Sequence, residues 1–205
     1  MEQFAFVFTL CFVLLGPIRL IVPFARQTKG RSPAFQRSAA TWAALLASAT
    51  CLFVVLVGRT LVAKYGLSVP ALQLTAGLVL LLSALGTIFP SGNLPASARE
   101  GGSPLQLAIS TLTVPTMIPP VGVAALLIFV MIGPMSAERL LVLATALGVI
   151  MLLNFLVMFF NDRVLRIPGL LPGLHLLGGV LIVIQVALAI DTMLIAFRTL
   201  GVVAA

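Results

Sequence analysis

Residues 140–161 read LLVLATALGVIMLLNFLVMFFN, 22 positions without a charge. A bilayer's hydrocarbon core is about 30 Å thick, and a helix crosses it with about 20 apolar residues. This stretch therefore reads as one transmembrane helix. The same measure applied outward finds five more uncharged runs, at 3–18, 38–58, 65–98, 101–137 and 167–190. Each has room for one spanning helix with some polar flank, and none for two. The predicted spans are 4–25, 38–59, 70–89, 104–132, 139–160 and 172–197. The whole composition agrees: of 205 residues 61% are hydrophobic and 8% charged, with a mean hydropathy of +1.23. A soluble domain carries about 25% charged residues, so soluble enzymes, secreted modules and disordered tails are excluded.

The first run is predicted to be a retained helix and not a signal peptide. Its start carries Glu2 where a cleaved leader carries basic residues, and Arg19 follows the apolar stretch. A formal net charge of +7 would suggest nucleic acid in a soluble protein, but here the basic residues sort by side of the membrane. The first, third and fifth loops hold seven of them, including Arg26, Lys29, Arg31 and Arg37; the other side holds Arg59, Lys64, Arg139 and Arg198. Cytoplasmic loops carry the Lys/Arg excess, which places both termini outside the cytoplasm, in a cytoplasmic (inner) membrane. The expected partners are the lipid bilayer and a small-molecule substrate, with no nucleic acid. Cys11 and Cys51 lie in apolar runs and read as buried free thiols.

Two of the six segments carry their own interruptions. The first holds Gly16, Pro17 and Pro23; the fourth holds Pro115, Pro119, Pro120 and Gly122. Proline removes a backbone donor and clashes with the carbonyl four residues back, so both helices are predicted to break. Between them, residues 90–103 (PSGNLPASAREGGS) read as a linker. It divides the chain into repeats of three helices, 1–102 and 103–205. At an offset of 102, Pro17 meets Pro119, Arg37 meets Arg139, and the P-x-L-x-L-x-x-G pattern at Pro70 to Gly77 recurs at Pro172 to Gly179. Three is odd, so the second copy enters the membrane from the opposite side. Inverted repeats with discontinuous helices are the pattern of secondary transporters, whose substrates bind where the breaks meet.

The expected substrate pathway therefore comprises Gly16, Pro17, Arg19, Thr113, Thr116, Pro119, Pro120 and Gly122. Arg19 is the one charge well inside an apolar run, and a charge there marks a functional site by default. It admits two readings: it binds a substrate carboxylate or freed carbonyl, or it snorkels to the inner headgroups. Asp191 reads as an interfacial residue too distant to pair with it, and His175 as a satisfied interfacial histidine. Asn154 and Gln185 read as interhelical hydrogen-bonding groups. Thr111, Thr113 and Thr116 adjoin the second break. No metal-ligand cluster, cofactor motif or catalytic constellation is present in the sequence, so neither a metal, a cofactor nor enzymatic activity is expected.

The residues GPIRLIVPFARQTKGRSPAFQRSA, 16–39, resemble the MarC-type membrane proteins, a six-helix neutral amino acid transporter family. Pro17, Phe24, Thr28, Lys29, Gly30, Ser32, Pro33 and Arg37 fit its pattern, as do the Pro70 to Gly77 helix start and the proline-rich fourth segment. The resemblance implies transport of a small neutral amino acid such as alanine, glycine or serine. This chain departs from the family where Gly16 replaces Asn or Asp, where Arg19 replaces Gly, and where Pro119 and Val121 replace glycines. The rival reading is a non-transporting scaffold or accessory subunit with the same fold.

Overall fold

The computed structural model describes residues 2–89, 103–131, 136–166 and 169–202. The predicted linker lies almost wholly outside this set, as does the side chain of His175. The described residues are all-α: α1 Glu2–Leu15, a 3-10 turn Pro17–Arg19, α2 Ile21–Gln27, α3 Pro33–Lys64 and α4 Val69–Ile88 in the first half. In the second half come α5 Pro104–Leu107, a π-helical stretch Ala108–Met117, α6 Pro120–Met131, α7 Ala137–Phe159, α8 Asn161–Val164 and α9 Leu170–Thr199. Among the described residues, five helices are long and apolar enough to cross a membrane: Val7–Gln27, Pro33–Lys64, Val69–Ile88, Ala137–Phe159 and Pro172–Thr199. That is the make-up of a multi-pass membrane protein.

The segment predicted to span 104–132 is built in pieces. Pro115 has no N–H to give the carbonyl of Thr111, which instead accepts the Thr116 hydroxyl. The Ile118 N–H reaches back five residues, to Thr113 O at 2.9 Å. The chain thus runs as π-helix up to the break at Ile118 and Pro119, and α6 beyond it has only 12 residues. At about 1.5 Å each these cover ~18 Å, short of a bilayer core.

Pro23, expected to interrupt the first helix, does not. It sits in the first turn of α2, where the backbone N–H has no intrahelical acceptor to lose. The single break there falls at Gly16.

Helix starts follow a shared device. Ser32, Ser68, Ser103 and Ser136 cap α3, α4, α5 and α7, each accepting a backbone N–H three residues on at 3.2–3.3 Å. Such caps carry α3 and α7 past the charges at which the sequence reading stopped them, because a capped first turn tolerates polar flank. α3 reaches 32 residues.

The core is apolar and tightly packed, with Leu14, Leu20, Phe24, Ala43, Leu112, Ile118 and Ile150 buried. Cys11 and Cys51 are free and buried in it. α4 and α9 make the most extensive helix pair, and α3 also contacts α7, though a cavity of about 660 Å³ opens between those two. α1 packs on α7, and the π stretch packs on α3. Small residues set the closest approach: a Cβ on Gly77 would stand 2.8 Å from the Ala189 carbonyl oxygen. Outward-facing leucines such as Leu52, Leu82, Leu141 and Leu176 are more than half exposed, which suits lipid as the surrounding solvent.

Candidate functional site

α1 ends at Leu15, whose carbonyl is among the last four of the helix and has no intrahelical donor. Pro17, which has no N–H, likewise takes the usual donor from the Val13 carbonyl. Asn154, fully buried on α7, donates Nδ2 to the Leu15 oxygen at 2.8 Å. Gly16 then turns the chain, and a Cβ there would collide with the Phe12 carbonyl oxygen. The chain re-enters helix through Pro17, whose carbonyl accepts the Leu20 N–H at 3.0 Å. At the second break Pro119 O accepts the Gly122 N–H at 2.8 Å. Both Pro17 and Pro119 thus offer their carbonyl to the N–H three residues on. Pro120 is the first residue of α6, a position that costs no hydrogen bond.

The two breaks meet. A cavity of about 250 Å³ between them is lined by Leu14, Leu15, Gly16, Arg19, Pro23, Ser83, Thr116, Met117, Pro119 and Pro120. Five of the eight predicted pathway residues therefore face one space. The other three stand behind it. Pro17 is buried, Thr113 is buried with its hydroxyl lacking a partner, and Gly122 abuts the Leu15 side chain closely enough that a Cβ would strike it. The volume lies below the roughly 300–1,000 Å³ of sites for drug-sized ligands, so a solute of a few heavy atoms is what it can hold.

Arg19 projects across the bundle, not along it. Its Nη2 donates to Gln185 Oε1 of α9 at 3.0 Å, and Gln185 Nε2 donates to Leu80 O of α4 at 3.2 Å. Gln185 and Leu80 lie near the middle of their helices, about 12 Å or more from either end at 1.5 Å per residue. The guanidinium thus meets α9 near its middle and not at its end. Arg19 Nη1 is buried without an acceptor. Asp191 is exposed on α9, and no carboxylate pairs with Arg19 among the described residues. The pairing with Gln185 joins positions 166 apart in sequence, which helical spacing could not reveal. The signal that was available is that a lone charge in a membrane needs a partner, and few deep polar side chains could serve.

A charge held there without a counter-charge is a stability cost. Arg19→Met keeps the length and apolar stem and removes the charge, and it is expected to raise the thermal midpoint of the detergent-purified protein. The gain is about 1 kcal/mol for this half-buried group, or roughly 2–4 °C for a chain of this size. A lowered midpoint would mean that Arg19 is held for the fold.

No protein-family model matches the chain, and no curated protein or solved structure is significantly similar to it.

Proposed function

We propose that the protein is a secondary carrier that moves a small polar solute through the site between its two broken segments. The observation that carries this reading is the single cavity shared by both breaks, with Arg19 and Thr116 on its wall. In lipid, irregular backbone is tolerated only where protein or a water-filled cavity covers it. Two such stretches brought to one space suit a substrate site at the meeting of two repeats. The packing supports the repeat reading. α4 lies on its counterpart α9, α3 on its counterpart α7, and α1 on α7 as the π stretch lies on α3. In this reading the pieces from Pro104 to Met131 together act as the sixth membrane segment. Both termini face away from the cytoplasm in a cytoplasmic membrane, and the resemblance to the MarC-type proteins points to small neutral amino acids as first substrates. No enzymatic role, cofactor or metal enters.

Water access tests the pathway whatever the solute. Gly16 and Gly122 are poor places for a reporter, since a side chain at either meets its neighbours. Thr116→Cys and Ser83→Cys, each in a Cys11→Ala/Cys51→Ala background, are expected to react with a polar, membrane-impermeant thiol reagent. Ala146→Cys, fully buried, is expected to stay silent. Silence at Thr116 and Ser83 as well would favour a packed scaffold.

A further inference from the structure

The site's charge is unbalanced in a way that selects its ligand. Arg19 supplies a full positive charge against the middle of α9, one of its two terminal nitrogens is held by a neutral amide, and the other has no acceptor. Every other polar side chain on the cavity wall, Thr116 and Ser83, is uncharged, and Thr116 already spends its hydroxyl proton on Thr111 O. The deep acceptor closest to the first break, the Leu15 carbonyl, is taken by Asn154. We propose that the solute is a small monocarboxylate anion, bound through its carboxylate by Arg19, and not a zwitterionic amino acid. With Nη2 turned to Gln185, Nη1 is the donor left for a carboxylate oxygen, and a charge-assisted hydrogen bond of this kind is about twice as strong as a neutral one. A zwitterion would bring an ammonium group as well. No carboxylate among the described residues stands near to receive it, and a cation beside Arg19 in a poorly screened interior is repelled. The membrane itself offers anionic phosphates, but Gln185, the partner that holds Arg19, lies about 20 Å from either end of α9.

This rests on the carrier reading for its choice of cavity, so binding and transport are measured separately. L-lactate and L-alanine share a carbon skeleton and differ in a hydroxyl against an ammonium, which isolates the charge. The full chain, purified in detergent, is expected to gain thermal stability with lactate and not with alanine. In liposomes it is expected to exchange labelled lactate at least about tenfold faster than alanine. Arg19→Gln should weaken lactate binding by about 10- to 100-fold, the loss of one hydrogen bond between charged groups, while Arg19→Lys should keep part of it. Arg19-dependent lactate binding without exchange would uphold the anion site and overturn the carrier reading. Exchange of alanine as fast as lactate, or lactate binding unchanged in Arg19→Gln, would overturn the anion site and leave the carrier standing. Absence of lactate binding overturns it too. So does an Arg19-dependent shift given only by added phosphatidylglycerol, which would make the anion a lipid headgroup.

Discussion

Gly77→Leu is expected to lower the stability of the protein more than any other single change considered. Gly77 is buried on α4 where that helix meets α9, and a Cβ there would sit 2.8 Å from the Ala189 carbonyl oxygen and strike Met193 Cγ. The Met193 side chain can move aside, whereas the Ala189 backbone cannot move without its helix. Three further carbons of leucine must then be housed in an interface whose neighbours Ala76 and Ala189 are themselves buried. Overpacking of this kind costs about 1–3 kcal/mol, occasionally more, and this site belongs at the upper end. With roughly 2–4 °C per kcal/mol at this chain length, the thermal midpoint should fall by about 6–12 °C. The effect should reach the site as well. Gln185 bridges Leu80 on α4 and Arg19, so forcing α4 and α9 apart withdraws the partner that holds the guanidinium. Leu78→Ala provides the contrast: Leu78 is half exposed on the same helix, and removing it should move the midpoint by no more than about 0.5 kcal/mol allows. If Gly77→Leu behaved like Leu78→Ala, the close α4–α9 contact would be refuted.

The parts of this architecture that the sequence made legible are those governed by local chemistry. Uncharged runs mark the long spans because a charge in the hydrocarbon core is costly whatever its sequence neighbours. Prolines gave both breaks because a missing N–H acts on the residue four positions back. Over 104–132 the prolines mark the break at Pro119, but hydropathy counts apolar residues and is blind to how Pro115 turns the backbone into a π stretch that ends at Ile118. Likewise Pro23 reads as a breaker until its place in the first turn of α2 is known. The polar contacts of the site were out of reach for a different reason. Asn154 to Leu15 and Gln185 to Leu80 join residues 139 and 105 apart, and only the packing of the helices decides which carbonyl each amide meets.

That difference makes Asn154 the second informative position. It is fully buried on α7, and its Nδ2 is the donor for the terminal carbonyl of α1, 2.8 Å away. Leucine matches asparagine in shape and supplies no donor, so Asn154→Leu would leave the Leu15 oxygen buried and unpaired. Such a group costs about 1–3 kcal/mol. Part of the cost is offset, since Asn154 Oδ1 is itself unpartnered and leaves with the substitution. A net loss of about 2 kcal/mol, or roughly 4–8 °C in midpoint, is expected. Because Leu15 and Gly16 line the cavity, a released carbonyl would also change the wall of the site. Solute binding should weaken even at temperatures where the variant stays folded. Gln185→Leu in the Arg19→Met background is the matching control, for the Leu80 carbonyl lies inside a continuous helix and no charge is left without its partner. Its stability cost relative to Arg19→Met should be smaller than that of Asn154→Leu. Should the two variants lose equal stability, the break at Gly16 would not depend on α7 for its hydrogen bonding, and Asn154 would be ordinary interhelical glue.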